Sequence, residues 1–351
     1  MKPSLRFGIV SATIVILSFQ VPQFEVFSAN IQSFEQWCLQ KDSLPVETKR
    51  TVEVMLKTSG TQECRLADVK LNSLTKLDLR ANQISGNKPP DLRRAIQIGD
   101  IKPPYLRRAI QISDIKPLAS LTNLTELDLS NNQISDIKPL ASLTNLTKLN
   151  LYNNQINDIK PLASLTNLTK LDLSNFRRAN QISDIKPLAS LTNLTELYLY
   201  SNQISDVKPL AGLTKLTKLH LDRNRISDVK PLVSLTSLRW IILDENQISD
   251  IKPLAGLTNL DWLFLSNNQI RDVKPLAGLS NLDQLHLYNN QIRLVKPLAG
   301  LTNLTVLDLS KNQISDVKPL AGLTNLTGLD LTDNQISEKS CPVKPESVCK
   351  F

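Results

Sequence analysis

From residue 71 onward, apolar and polar positions recur with a period of 22 residues, most clearly in Leu121–Ser142, LTNLTELDLSNNQISDIKPLAS, whose core is LxxLxLxxNxI. Within it Leu127 and Leu129 alternate with Glu126, Asp128 and Ser130, the period-2 pattern of a short strand with one buried face. Asn132 follows where the chain must turn, and its side-chain amide can satisfy backbone groups that no sheet partner reaches. It recurs at Asn82, Asn154, Asn180, Asn202, Asn224, Asn246, Asn268, Asn290, Asn312 and Asn334, which predicts an internal asparagine ladder through about eleven units. Pro139, in Ile-Lys-Pro-Leu, fixes φ and lacks an N–H, so the return segment is predicted as 3-10 or extended turn rather than a long helix. Seven aliphatic positions per unit (Leu121, Leu124, Leu127, Leu129, Ile134, Ile137 and Leu140) cannot all be covered by one unit, so neighbours must stack around a shared interior.

The fold class that follows is α/β, a right-handed solenoid or horseshoe with a parallel β-sheet on its concave face and 3-10 or turn segments on its convex face. The LxxLxLxxNxI phrase, followed by I/VxPL at a spacing of 22, resembles the leucine-rich-repeat superfamily and, within it, the bacterial internalin-like class. The resemblance spans residues 71–337 and implies a binding platform, mostly for proteins.

Two places leave the register. The repeat breaks after Ile84 and resumes at Ser113, an insertion over 85–112 in which DLRRAIQIGDIKPP is followed by a second copy beginning YLRRAIQI. A shorter insertion, 176–179, carries Phe176-Arg177-Arg178-Ala179. Surface loops tolerate such additions at small entropic cost, so the expectation is a duplicated bulge, with basic loops for an acidic partner as the functional alternative.

The ends differ from the middle. Lys2 and Arg6 precede an apolar run from Phe7 to Phe19, too short for the roughly 20 residues of a spanning helix and laid out like a signal peptide over 1–29. Residues 30–70 are expected to form an N-terminal cap with a helix from Val46 to Thr58, its apolar residues being Val46, Val52, Met55 and Leu56; residues 338–351 should close the other end. The four cysteines lie only in these flanks. About eleven strands at roughly 4.8 Å spacing set the two ends on the order of 50 Å apart, whereas a disulfide needs Cα atoms within about 7 Å, so Cys38–Cys64 and Cys341–Cys349 are the predicted bonds.

Charge and chemistry narrow the function further. The net charge is +8, but lysines such as Lys138 alternate with acids such as Asp136, which argues against a nucleic-acid stripe. His220 and His286 are the only histidines; three strands separate them by roughly 14 Å, too far to share a metal, and although Asp222 could orient His220, no nucleophile accompanies the pair. The expectation is a non-enzymatic chain without cofactor or metal, monomeric, without membrane contact once 1–29 is removed, and secreted, periplasmic or on the cell surface. Of ten Tyr, His and Trp residues, eight fall on solvent-facing strand positions. The predicted partner-binding set is Tyr198, Tyr200, His220, Trp240, Ile242, Trp262, Phe264, His286 and Tyr288, with Glu196, Lys218, Asp222, Asp244 and Glu245 orienting a partner protein. The alternatives are an intracellular regulatory subunit docking on an enzyme such as a phosphatase, and a cell-wall or glycan binder.

Overall fold

Leucines at alternate positions close one face of each three-residue strand. In the computed structural model, which describes residues 31–81, 111–176 and 181–351, these strands form one sheet. They are β1 (Lys76–Asp78), β2 (Glu126–Asp128), β3 (Lys148–Asn150), β4 (Lys170–Asp172), β5 (Glu196–Tyr198), β6 (Lys218–His220), β7 (Trp240–Ile242), β8 (Trp262–Phe264), β9 (Gln284–His286), β10 (Val306–Asp308), β11 (Gly328–Asp330) and β12 (Cys349–Lys350). They pair in chain order, and β1–β11 are parallel and in register. The predicted residues 1–29 segment and the core of the long insertion lie outside the described residues.

The interior is a stack of aliphatic layers. Leu121, Leu124, Leu129, Ile134 and Leu140 are fully inaccessible, and the same positions repeat through Leu320 and Leu323. Between strand and return segment the asparagines form the ladder. Asn246 Nδ2 donates to the carbonyls of Leu221 (3.0 Å) and Leu243 (3.1 Å), while its Oδ1 accepts the Ile226 N–H at 2.9 Å. Each asparagine therefore ties its own unit to the one before it. The residue just before it takes the left-handed conformation at Asn131, Asn153, Ser201, Arg223, Glu245, Asn267, Asn289, Lys311 and Asp333, which asparagine tolerates better than the longer side chains. On the return side Lys138–Ser142 and its equivalents are 3-10 helices with proline in the first turn. Asp136 Oδ1 accepts the Lys138 backbone N–H at 2.9 Å and starts that turn.

The ends carry more structure than the pattern implied. Three helices, α1 (Phe34–Leu39), α2 (Val46–Ser59) and α3 (Cys64–Asn72), make the N-terminal cap. The Cys38–Cys64 disulfide joins α1 to α3, with Cα atoms 5.5 Å apart. Helix α2 buries Val52, Val54, Met55 and Leu56, while Val46, in its first turn, is exposed. Thr51 Oγ1 donates to the Asp114 carbonyl at 2.6 Å, fastening the cap to the repeats. At the far end Cys341–Cys349 closes a short loop, and β12 adds a twelfth strand that the 22-residue pattern does not contain.

The long insertion ends earlier than its expected boundary of 112. Ile112 is buried, its N–H donates to Asn132 Oδ1 at 2.9 Å and its carbonyl accepts the Gln133 N–H. The repeat's Gln-Ile-Ser phrase stands on both sides of the insertion, at 83–85 and 111–113, and the copy at 111–113 enters the ladder. Lys76 still pairs with Glu126, so the register crosses the insertion unbroken. Beside the shorter insertion, Asn175 is buried and donates to the Asn154 carbonyl, Phe176 is exposed, and Asn202 Oδ1 has no hydrogen-bond partner among the described residues. The expected rungs Asn82 and Asn180, with Arg93, Arg94, Arg107, Arg108, Arg177 and Arg178, lie outside the described residues.

Candidate functional site

Because every strand places its first and third residues on the open face, identical register turns sequence positions into columns. Tyr198, His220, Ile242, Phe264 and His286 stand side by side on β5–β9. Glu196, Lys218, Trp240, Trp262 and Gln284 form the column beside them. Past the strand ends, N–H groups of Ser201, Arg223, Glu245 and Asn267 donate to the carbonyls of Asp222, Asp244, Ser266 and Tyr288. Tyr200, Asp222, Asp244, Ser266 and Tyr288 thus make a third column, with its two tyrosines at opposite ends. All nine predicted partner-binding residues are half-buried, placed in the sheet but reachable from solvent.

The rings touch one another. Trp240 and Trp262 stack with centroids 4.3 Å apart and planes 2° from parallel, and Phe264 packs on His286 at 4.2 Å. Tyr198 meets His220 edge-on at 4.7 Å. Lys218 Nζ covers the Trp240 ring at 4.5 Å, and Arg223 and Lys311 lie over Tyr200 and Tyr288. Lys218 is among the residues expected to orient a partner, whereas Arg223 and Lys311, which come from turns beyond the strands, are not singled out by the periodicity.

Electrostatically the middle column is neutral. Burial, with Lys218 nearby, lowers His220 to about 4, and burial also lowers His286. Burial and the Glu196 carboxylate raise the Tyr198 hydroxyl. Burial alone would raise Glu196, but hydrogen bonds from Lys170, Tyr198 and Lys218 hold it at about 2. The third column behaves differently: burial raises Asp222 to about 7 and Asp244 to about 6. Arg223, the nearest cation, is engaged by Glu245 at 2.8 Å. His220 and Asp222 do not pair; the histidine ring is occupied by Tyr198 and its Nε2 is buried without a partner.

The first strands present another chemistry. Lys76 and Lys148 both bind Glu126 at 3.1 Å, and Lys170 and Lys218 both bind Glu196 at 2.9 and 3.1 Å. Asp78, Asp128, Asn150 and Asp172 fill the column that holds rings on β5–β9. All of these except Lys218 line a groove of about 920 Å³ over β1–β5, which Tyr198 closes at its far end. Among the described residues no cluster of three or more His, Cys, Asp or Glu could hold a metal ion, and no helix is long and apolar enough to cross a membrane.

Family models described as leucine-rich repeats match residues 73–95, 105–142, 144–190, 175–212, 192–234, 214–270, 258–300 and 302–341. An internalin from Listeria monocytogenes is similar at 30% identity over 86% of this chain and 94% of its own, with a TM-score of 0.56. A leucine-rich-repeat protein from Leptospira interrogans matches at 30% identity and TM-score 0.59, over 63% of this chain and 57% of its own. The leucine-rich-repeat ectodomain of a plant membrane receptor kinase from Arabidopsis thaliana, solved in complex with Casparian strip integrity factor 2, matches at 28% identity and TM-score 0.56 over 63% of this chain and 28% of its own. No curated protein matches the chain.

Proposed function

The chain belongs to the leucine-rich-repeat family, in its internalin-like class, and from that premise we propose that it is an exported, non-enzymatic scaffold that captures a partner protein on the aromatic half of its sheet. The observation that carries this reading is the contiguous patch on β5–β9, where nine half-buried side chains share three columns. An uncharged, ring-rich surface rimmed by ion pairs is the composition of an interface centre with its polar surround. A chain rarely keeps such a surface open to water without a use.

Ring orientation favours protein over glycan. Sugars stack on exposed ring faces, but Trp240 has one face against Trp262 and the other under Lys218. What it offers solvent is an edge. Two disulfides in the caps, with no free cysteine among the described residues, favour an oxidising compartment over an intracellular docking subunit.

The test is affinity capture with the chain from residue 30, comparing wild type with Trp240→Ala/Trp262→Ala. Capture lost at an unchanged melting temperature supports the assignment; equal capture by both proteins refutes it.

A further inference from the structure

The turns that follow the asparagine ladder obey a strict local grammar, with serine and aspartate at Ser135-Asp136, Ser205-Asp206, Ser227-Asp228, Ser249-Asp250 and Ser315-Asp316, and lysine two residues after each aspartate. Each aspartate accepts the backbone N–H of that lysine, as Asp250 does from Lys252 at 3.0 Å and Asp316 from Lys318 at 3.0 Å. One acid therefore sits beside one base at every turn. Asn157 replaces the serine in one unit without changing its charge, whereas two adjacent units change the charge. Arg271 and Arg293 replace the serine, and Leu294 replaces the aspartate.

The substitutions change the local charge. Segments 271–274, 293–296 and 315–318 carry Arg271, Lys274, Arg293, Lys296 and Lys318 against Asp272 and Asp316, a local excess of three positive charges. The described residues as a whole sum to only +1, because residues 1–30 hold +1 of the total +8, 82–110 hold +4 and 177–180 hold +2. Both arginines are also held in place. Arg271 Nε donates to Gln291 Oε1 at 2.8 Å, and Arg293 Nε to Gln313 Oε1 at 2.9 Å. Two guanidinium groups are thereby anchored on neighbouring rungs, roughly 5 Å apart by strand spacing. The described arginines that form ion pairs are Arg80, Arg223 and Arg239, so among the described residues no carboxylate lies within 4.0 Å of the Arg271 or Arg293 guanidinium. Next to them Leu294 is 75% exposed, more than any other large hydrophobic side chain described.

We infer that these turns form a docking edge for an anionic phospholipid bilayer, with Arg271 and Arg293 on headgroup phosphates and Leu294 entering the apolar boundary. Planar guanidinium forks match phosphate oxygens, and clustered cations beside an apolar side chain are what an anionic membrane surface attracts. A shaped protein ligand would want rings or a cleft, and none of the three turn segments contains an aromatic residue. The edge lies on the turns rather than on the sheet face, so it is independent of the capture surface above. It goes beyond the composition-based expectation of no membrane contact, because the imbalance is confined to two units and vanishes in the average.

The test is co-sedimentation of the chain from residue 30 with vesicles of equimolar phosphatidylglycerol and phosphatidylcholine, against phosphatidylcholine alone. The variant Arg271→Ser/Leu294→Asp/Arg293→Ser restores the repeat's own consensus, so its melting temperature should not fall, and it keeps the arginines of the long insertion as an internal control. Wild type should bind the anionic vesicles only, and the variant roughly 30-fold more weakly. Equal partitioning of the two proteins, or no partitioning of wild type, overturns the proposal. So does variant-sensitive binding to soluble poly-glutamate without binding to vesicles, which would assign the edge to an acidic polypeptide.

Discussion

The two halves of the sheet share one interior and present opposite surfaces. Beneath β2, β3 and β6–β8 the same leucines and asparagines repeat to within a few tenths of an ångström in hydrogen-bond length. Above them, β2–β4 carry Asp128, Asn150 and Asp172 flanked by shared lysine–glutamate pairs, whereas β6–β8 carry His220, Ile242 and Phe264 flanked by a tryptophan stack. The lesson is a division of labour within the 22-residue unit: interior positions answer to stacking, so they stay uniform, while face positions answer only to what approaches from solvent.

The largest effect should come from erasing the contrast. Giving β7 and β8 the face of β4, by Trp240→Lys, Ile242→Asp, Trp262→Lys and Phe264→Asp, should lower partner affinity at least 1,000-fold, about 4 kcal/mol; the reciprocal loss of Lys148 and Glu126 to alanine should change it less than about threefold, both by titration calorimetry. Next comes the shared interior. Asn246→Ala removes one of the two amide donors to each of the Leu221 and Leu243 carbonyls, which keep Asn224 and Asn268, and strands the Ile226 N–H, costing about 3 kcal/mol in urea unfolding. Asn154→Ala, under the charged half, should cost about the same, since its Nδ2 meets Leu129 and Leu151 equally.

Burial raises a carboxyl in each half, Asp172 on β4 and Asp222 beyond β6. Asp222 sits near 7 when folded, against an ordinary aspartate near 3.8, chiefly because of burial. Below pH 4 both states hold the proton. Between pH 4 and 7 the unfolded chain releases it first, so stability falls as pH rises through that window and the cost is complete above 7. Asp222→Asn should therefore raise stability at pH 8 by on the order of 2 kcal/mol and leave it unchanged at pH 4. The smallest effect tests the turn. Lys311 has φ 49° where four other units place asparagine (Asn131, Asn153, Asn267 and Asn289), and Lys311→Asn should stabilise by about 0.5–1 kcal/mol in thermal melts.

The solenoid was legible because its signal is repeated: one unit's period-2 leucines and its asparagine, copied along the chain, specify strand, turn and neighbour at once. The face columns followed, since fixed register converts a 22-residue spacing into adjacency, as for Trp240 and Trp262. Single-copy features were less accessible. The division of the cap into three helices, and strand β12, have no repeat to announce them. The place of Ile112 in the ladder depends on packing that a repeated phrase does not reveal, and Lys218 over Trp240 depends on side-chain directions that spacing does not encode.

The most direct test of the central claim is hydroxyl-radical footprinting of the chain from residue 30, free and bound to its affinity-captured partner. Partner binding on the aromatic half predicts protection of Tyr198, Trp240, Trp262, Phe264 and Tyr288, with Leu294 and Val233 on the turns unchanged. Unaltered labelling of the two tryptophans in the complex, with protection elsewhere, would contradict it.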